Sequence, residues 1–131
     1  IRGLVLLYPA ICAVDMVHEM FPSAEDIPEE GGELFGVAHP RAYFEAIYNL
    51  DLENTMKRYT GDVLIIHGEL DPTVPISYSA NAVENIYAEG QAELLTITGK
   101  GSLHAFELMN QDGRTLAQEK AAAFLDKLIR P

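Results

Sequence analysis

The segment between residues 63 and 75 constrains the fold most, because an apolar run ends there abruptly in an acidic turn. The run Val63–Ile66 is followed by a His-Gly pair, and Asp71 lies in the turn beyond it. Short apolar runs rich in β-branched residues are typical of parallel strands that are buried on both faces. The turn after such a strand lies at the carboxyl end of the sheet, where open α/β folds bind their ligands. The sequence therefore predicts that Asp71 is a carboxylate held at the ligand-binding edge of a parallel sheet.

Composition and charge exclude several classes of protein. The 131 residues suffice for one domain with a core, and an apolar content of 48% is typical of globular proteins. Nine basic and twenty acidic residues give a net charge of −11, which repels polyanions, so we expect no nucleic-acid partner. The single cysteine, Cys12, excludes an internal disulfide and any multi-cysteine metal site, and we expect neither a metal nor a cofactor. No apolar run reaches the length of a membrane span, so we expect no membrane association and a cytoplasmic location.

The rest of the pattern predicts a small parallel α/β fold. Strands are predicted at 3–8, at the run that begins at Val63, and at 93–98. Residues 10–33 show no clean period and are predicted to be a long irregular excursion. Because strands separated by helices pair in parallel through right-handed crossovers, we expect about three parallel strands with flanking helices. The helices are predicted at 40–50, 52–59, 75–87 and 115–129, the last with an apolar stripe of Ala117, Ala121, Phe124, Leu125 and Leu128.

Asp71 and His104 form the most informative pair of polar residues. Each follows a predicted strand, and the two strands are consecutive, so both side chains should emerge at the same edge of the sheet. A carboxylate there can accept a hydrogen bond from one imidazole nitrogen and leave the other free to act as a general base. The alternative is structural: Asp71 caps the helix that begins near Pro75, and His104 is a surface loop residue.

The sequence resembles α/β-hydrolases in order along essentially its whole length. Residues 67–75, HGELDPTVP, resemble the acid-bearing turn of that family, in which the triad aspartate comes three residues after the glycine. The predicted strand 93–98 and the loop His104–Phe106 resemble the catalytic-histidine segment, and residues 4–10 resemble the strand after the nucleophile helix. The resemblance implies an α/β-hydrolase fold with Asp71 and His104 as the catalytic acid and base. Residues 11–60 resemble the cap-like insertion and helical connection of the feruloyl (cinnamoyl) esterase-like branch.

Two features depart from the family pattern. The family usually has Gly-x-Gly-His, whereas Ser102 and Leu103 here separate Gly101 from His104. In addition, no Gly-x-Ser-x-Gly nucleophile elbow occurs in the sequence. In the family the nucleophile comes before the first strand seen here, and the chain starts at Ile1 without a methionine. We therefore expect residues 1–131 to be a partial domain, the carboxyl-terminal portion of a carboxylic ester hydrolase that supplies acid and base and is inactive alone.

Other assignments remain open at the level of residues. Cys12 lies just beyond the first predicted strand and is a candidate nucleophile, although a lone cysteine is more often a small buried hydrophobe. Asp15 rivals Asp71, because some α/β-hydrolases carry the acid after the strand that follows the nucleophile. His67 is expected to pack or hydrogen-bond beneath the acid turn. Aromatic residues are expected either to line an acyl pocket or to pack the cap helices: Phe21, Phe35, Tyr43, Phe44, Tyr48 and Tyr59.

Other functions also remain open. The chain is alternatively a non-catalytic α/β module that binds or assembles through an exposed sheet edge, or part of a peptidase or thioesterase of the same fold. The expected partner of the intact hydrolase is a small-molecule ester. A sheet of three strands leaves an edge uncovered, so we also expect a homo-oligomer that forms through it.

Overall fold

The computed structural model describes residues 1–130. Its strands are β1 (Gly3–Leu7), β2 (Gly32–Leu34), β3 (Val37–His39), β4 (Asp62–Gly68) and β5 (Ala92–Ile97). Its α-helices are α1 (Ala13–Met20), α2 (Arg41–Tyr48), α3 (Leu52–Lys57), α4 (Ile76–Asn81) and α5 (Gln111–Ile129), with shorter helical turns at Ala24–Asp26, Ala82–Ile86 and Phe106–Leu108. Two compact units result, one of residues 1–10 and 53–130 and one of residues 11–52.

The first unit is built on a parallel sheet with the strand order β1-β4-β5. The prediction of three parallel strands with flanking helices is therefore confirmed. The central strand β4 is buried from Val63 to Gly68, as its apolar run predicts. The edge strand β1 is only half-buried, and Leu7 is 45% exposed. Strand β1 is less buried than β4 because it has a partner on one side only within this unit.

One face of this sheet packs against α5. Leu64 and Ile66 alternate onto that face and join Ile97, Phe106 and Phe124 in a single apolar core. Residues Val63, Ile65 and His67 point to the opposite face by the same alternation.

Helix α5 starts earlier than predicted. It begins at Gln111 instead of Thr115, because the Asn110 side chain caps it by accepting from the Gly113 N–H at 2.7 Å. Within the predicted stripe, Ala117, Ala121, Phe124 and Leu128 belong to the core, but Leu125 is 46% exposed and lies off it. The inclusion of Leu125 was therefore wrong.

The second unit has more regular structure than the sequence suggests. Helix α1 lies within the stretch 10–33 that was predicted to be irregular, which corrects that prediction, and the antiparallel hairpin β2–β3 begins at the end of that stretch. Its core consists of Val17, Phe21, Ile27, Leu34 and Phe44. The hairpin turn is made by Phe35 and Gly36, both at positive φ, and phenylalanine is not a residue that signals such a turn. Whether 11–60 acts as a cap stays a prediction.

In the part of the chain from residue 1 to residue 130, no helix is both long and apolar enough to cross a lipid bilayer.

Candidate active site

The turn after β4 holds the Asp71 carboxylate in a fixed orientation. Its Oδ1 accepts hydrogen bonds from the backbone N–H groups of Thr73 at 2.8 Å and Val74 at 2.9 Å. The side chain is fully shielded from solvent. The backbone N–H groups two and three residues after Asp71 thus hydrogen-bond to its side chain and stabilise the turn, as is common for aspartate in turns.

The other carboxylate oxygen contacts His104. The distance from Asp71 Oδ2 to His104 Nδ1 is 2.8 Å, and the imidazole is 35% exposed. Burial by itself would raise the pKa of Asp71, but hydrogen bonds from the Val74 amide, from His104 and from the Thr73 amide outweigh it. The pKa of Asp71 is therefore held below its ordinary value, so the carboxylate is ionised at neutral pH.

The His104 loop is tied directly to the acid turn. The Leu70 N–H donates to the Ser102 carbonyl oxygen at 2.9 Å, and the Gly99 N–H donates to Glu69 Oε1 at 2.9 Å. The buried Ser102 hydroxyl donates back to the Gly99 carbonyl at 2.6 Å. The longer spacing before His104 is thus absorbed by a compact turn, and the imidazole still reaches Asp71.

Close packing between these two loops explains the glycine after His67. A Cβ atom on Gly68 would lie 2.4 Å from the Ser102 carbonyl oxygen. That oxygen belongs to the backbone and is already fixed by its bond from Leu70, so it cannot move aside cheaply. Only glycine allows the two loops to approach as closely as they do.

His67 lies beneath the acid turn, fully buried, as expected from the sequence. Its Nε2 faces two oxygen acceptors, Asp71 Oδ2 at 3.1 Å and the Val74 carbonyl at 2.9 Å. Because an acceptor on each side requires a donor between them, we assign the proton to Nε2. In that tautomer Nδ1 accepts from the hydroxyl of Ser79, on α4, at 2.7 Å. Ser79 was not predicted to bind His67, because this contact depends on how α4 packs.

Tyr8 also lies at the carboxyl end of the sheet, and it was not predicted to be a site residue. It follows β1 directly, and its ring centroid is 4.5 Å from that of His104. Its hydroxyl donates to Glu107 Oε1 at 2.8 Å. Burial, and after it the bond to Glu107, raises the pKa of Tyr8 to about 12, so the hydroxyl stays protonated at neutral pH. The signal that was available is its position at the carboxyl end of a parallel strand, next to the strand that carries Asp71.

The arrangement suits proton transfer. With Nδ1 of His104 donating to Asp71, the lone pair of the ring lies on Nε2, which makes Nε2 the basic site. The ionised carboxylate stabilises the imidazolium that forms when Nε2 takes up a proton. Among residues 1–130 no group of three or more histidine, cysteine or acidic side chains is arranged to hold a metal ion.

The rival residues Cys12 and Asp15 belong to the second unit. Cys12 precedes α1 and is only 2% exposed, and Asp15 is exposed in the first turn of α1, so both belong to the unit of residues 11–52. Of the aromatic residues in that unit, Phe21 and Phe44 are in its core, and Tyr43 and Tyr48 pack against it. Phe35 at the hairpin tip is 37% exposed.

Comparison with known proteins identifies the fold. No protein-family profile matches the chain, and no curated protein matches it in sequence. The structure is similar to that of Est1E from Butyrivibrio proteoclasticus, with a TM-score of 0.81 and 23% identity over 100% of this chain and 52% of that chain. A structure of Est1E with ferulic acid bound is similar as well, with a TM-score of 0.75 and 22% identity over 99% and 51% of the two chains.

These similarities concern the fold. The chain has an esterase-like α/β fold and spans about half the length of the structures that it matches. The predicted fold, the carboxyl-terminal part of an α/β-hydrolase, is thereby confirmed. The predicted resemblance to feruloyl (cinnamoyl) esterase-like proteins is confirmed at the level of the fold.

Proposed function

We propose that this chain supplies the acid and base of a serine carboxylic ester hydrolase, with Asp71 orienting His104. The observation that carries the proposal is the 2.8 Å contact between Asp71 Oδ2 and His104 Nδ1 at the carboxyl end of an esterase-like sheet. The lowered pKa of Asp71 supports its role in orienting His104, because the carboxylate must stay ionised while the imidazole accepts and donates protons.

In the proposed reaction His104 Nε2 takes the proton of a serine hydroxyl as the serine oxygen attacks the ester carbonyl. The imidazolium, stabilised by Asp71, then gives this proton to the leaving alcohol, and an acyl-enzyme forms. Water attacks the acyl-enzyme, His104 accepts its proton, and the carboxylic acid and free serine are released. The serine belongs to a Gly-x-Ser-x-Gly elbow outside these 131 residues, so the chain alone should not hydrolyse esters.

The first substrates to test are esters of aromatic acids. Est1E binds ferulic acid in one of the two similar structures. That ligand supports an aromatic acyl group here as well, and methyl ferulate is the natural probe beside a simple aryl acetate.

The experiment uses the protein encoded by the gene together with any residues encoded before Ile1. A Gly-x-Ser-x-Gly sequence in that region and ester turnover are expected. His104→Ala should then lower kcat about 10⁴-fold or more, as loss of a triad member does. His18→Ala, an exposed histidine of α1, is the matched control and should keep the parent rate. Turnover that survives His104→Ala would refute the proposal.

A binding or assembly module remains the second candidate, and one observation favours it. A cavity of about 240 Å³ lies against α5, lined mainly by apolar side chains that include Val5, Leu7 and Phe106. A protein with no elbow in its complete coding sequence and a partner bound at this cavity would favour that role. Turnover of amides or thioesters in place of oxygen esters would instead identify a peptidase or thioesterase of the same fold.

A further inference from the structure

His104 is held from two sides, and only one of them belongs to the acid–base pair. Asp71 contacts Nδ1 at 2.8 Å. The second contact is with Tyr8, whose ring centroid lies 4.5 Å from that of the imidazole, with the two rings tilted at an interplanar angle of 58°. Tyr8 also meets Phe106 edge-on at 6.1 Å, so its ring lies between the base and the core.

Tyr8 reaches this position through an unusual backbone conformation. Its N–H donates to the Ile66 carbonyl at 2.8 Å, which extends the pairing of β1 with β4 by one residue. Its φ is +37°, in the left-handed region that residues with a Cβ atom rarely adopt. A conformation of this kind persists only where the surroundings hold it, and it is concentrated at functional sites. The side chain is held at its far end by the bond to Glu107.

Only one carboxylate oxygen of Glu107 is satisfied by the hydrogen bond to Tyr8. Its Oε1 accepts from Tyr8, but its Oε2 is buried and has no hydrogen-bond partner among residues 1–130. An unsatisfied buried acceptor is destabilising and is rare in native structures. Glu107 is three residues after His104, in the helical turn Phe106–Leu108. The Tyr8–Glu107 bond therefore ties the loop that carries His104 to the end of β1.

We propose that Tyr8 and Glu107 are positioning residues for His104. The hydrogen bond from the Tyr8 hydroxyl to Glu107 fixes the position of the Tyr8 ring. The ring packs against the imidazole and keeps it in the orientation in which Nδ1 points at Asp71. Neither side chain exchanges protons with substrate. The catalytic consequence rests on the proposed hydrolase function, but the effect on the imidazole does not.

The test is nitrogen-15 NMR of the histidine rings in the 131-residue chain at alkaline pH. In the parent, His104 should show the tautomer with the proton on Nδ1. Tyr8→Phe keeps the ring and removes only the hydroxyl donor, and Glu107→Leu keeps a side chain of similar size and removes the acceptor of that bond. Each change should weaken the Nδ1–H signal and bring up signal from the Nε2–H tautomer. The double variant should be no worse than either single one, because both remove the same bond.

Tyr48→Phe is the matched control. The Tyr48 ring centroid lies 4.3 Å from that of His18, and its hydroxyl donates to the Pro22 carbonyl. Tyr48 therefore resembles Tyr8 in packing against a histidine ring and in having a hydrogen-bonded hydroxyl, but it belongs to the other unit. It should leave the His104 signals unchanged. An unchanged His104 tautomer in Tyr8→Phe or in Glu107→Leu, with the fold intact by amide spectra, would overturn the proposal.

Kinetics in the protein that carries the nucleophile give the second measurement. Tyr8→Phe should lower kcat for ester hydrolysis and leave KM near the parent value, because the Tyr8 ring affects the orientation of His104 and not the binding of substrate. A rise in KM at constant kcat would overturn the positioning role. If His104→Ala left turnover intact, the hydrolase proposal would fail while the NMR result stood, so the two failures are distinguishable.

Discussion

At the scale of the residue, Asp71 uses both of its oxygens fully. Oδ1 accepts from the amides of Thr73 and Val74, and Oδ2 is shared by the rings of His67 and His104. A carboxylate has about four lone-pair sites, so these donors leave Asp71 no freedom to rotate. The bonds from Val74, His104 and Thr73 favour the ionised form, which is the reason that the pKa of Asp71 falls in spite of burial. A carboxylate that is both immobile and charged is what the orientation of a catalytic imidazole requires.

His67 should matter for stability because it links Asp71 to α4. His67→Leu removes the donor to Asp71 and leaves the buried Ser79 hydroxyl without its acceptor on the ring. We expect the free energy of unfolding to fall by about 1–3 kcal/mol, the usual cost of leaving a buried polar group unsatisfied. Urea denaturation measures it, with the exposed His18→Leu as control. A loss below about 0.5 kcal/mol, the range of ordinary surface substitutions, would show that this chain of bonds is not important for stability.

At the scale of the element, the carboxyl ends of the parallel strands bring the site together. Tyr8 follows β1, Asp71 follows β4 and His104 lies in the loop after β5. The sheet sets where each loop begins, but contacts between the loops set their geometry. The bond from Leu70 to Ser102 and the space beside Gly68 determine how closely the acid turn approaches the base.

Gly68→Ala tests this close approach. The added methyl group would lie 2.4 Å from a backbone oxygen, so the two loops must separate. We expect a loss of about 1–3 kcal/mol in the free energy of unfolding, as for other overpacked sites, together with a weakened contact between Asp71 and His104. Gly32→Ala is the control, since its Cβ atom would meet the rings of Phe44 at 3.6 Å and Phe21 at 3.9 Å, which are ordinary contact distances. Equal stability of the two variants would contradict the account of the loops.

The sequence predicted those elements whose signals are local. The apolar run of β4 and its acidic turn are complete in a dozen residues, and both were located correctly. Helix α1 was missed because it is short, and the hairpin was missed because its turn places a phenylalanine at positive φ. Asp71 and His104 were paired from strand order, and the resemblance to α/β-hydrolases supported the pair. Tyr8, Ser79 and Glu107 were not found, because each acts through a contact made by chain segments distant in sequence.

At the scale of the whole molecule, the chain spans about half of the Est1E structures that share its fold. Within residues 1–130, β1 pairs on one side only, with β4. A cavity lined largely by apolar side chains lies beside it, and Leu7 is 45% exposed. Open strands and apolar patches of this kind favour association. The expectation of self-association through the uncovered sheet remains a prediction.

Leu7→Lys should weaken that association. We expect the parent chain to show a dimer or larger species by light scattering as its concentration rises, and the new charge at the edge of β1 to shift it toward the monomer. Leu50→Lys is the matched control, because Leu50 is 44% exposed in the other unit. A parent chain that stays monomeric at high concentration, or an equal effect of both variants, would count against the edge as the site of association.

The pairing of Asp71 with His104 in ester hydrolysis is tested most directly by a double-mutant cycle on kcat. It is measured in the protein that includes the residues encoded before Ile1. Asp71→Asn and His104→Ala should each lower kcat for methyl ferulate about 10⁴-fold or more, since each breaks the same unit. If Asp71 acts only through His104, the double variant will be no slower than His104→Ala alone. Losses that multiply in the double variant, or a near-parent rate for Asp71→Asn, would contradict the account.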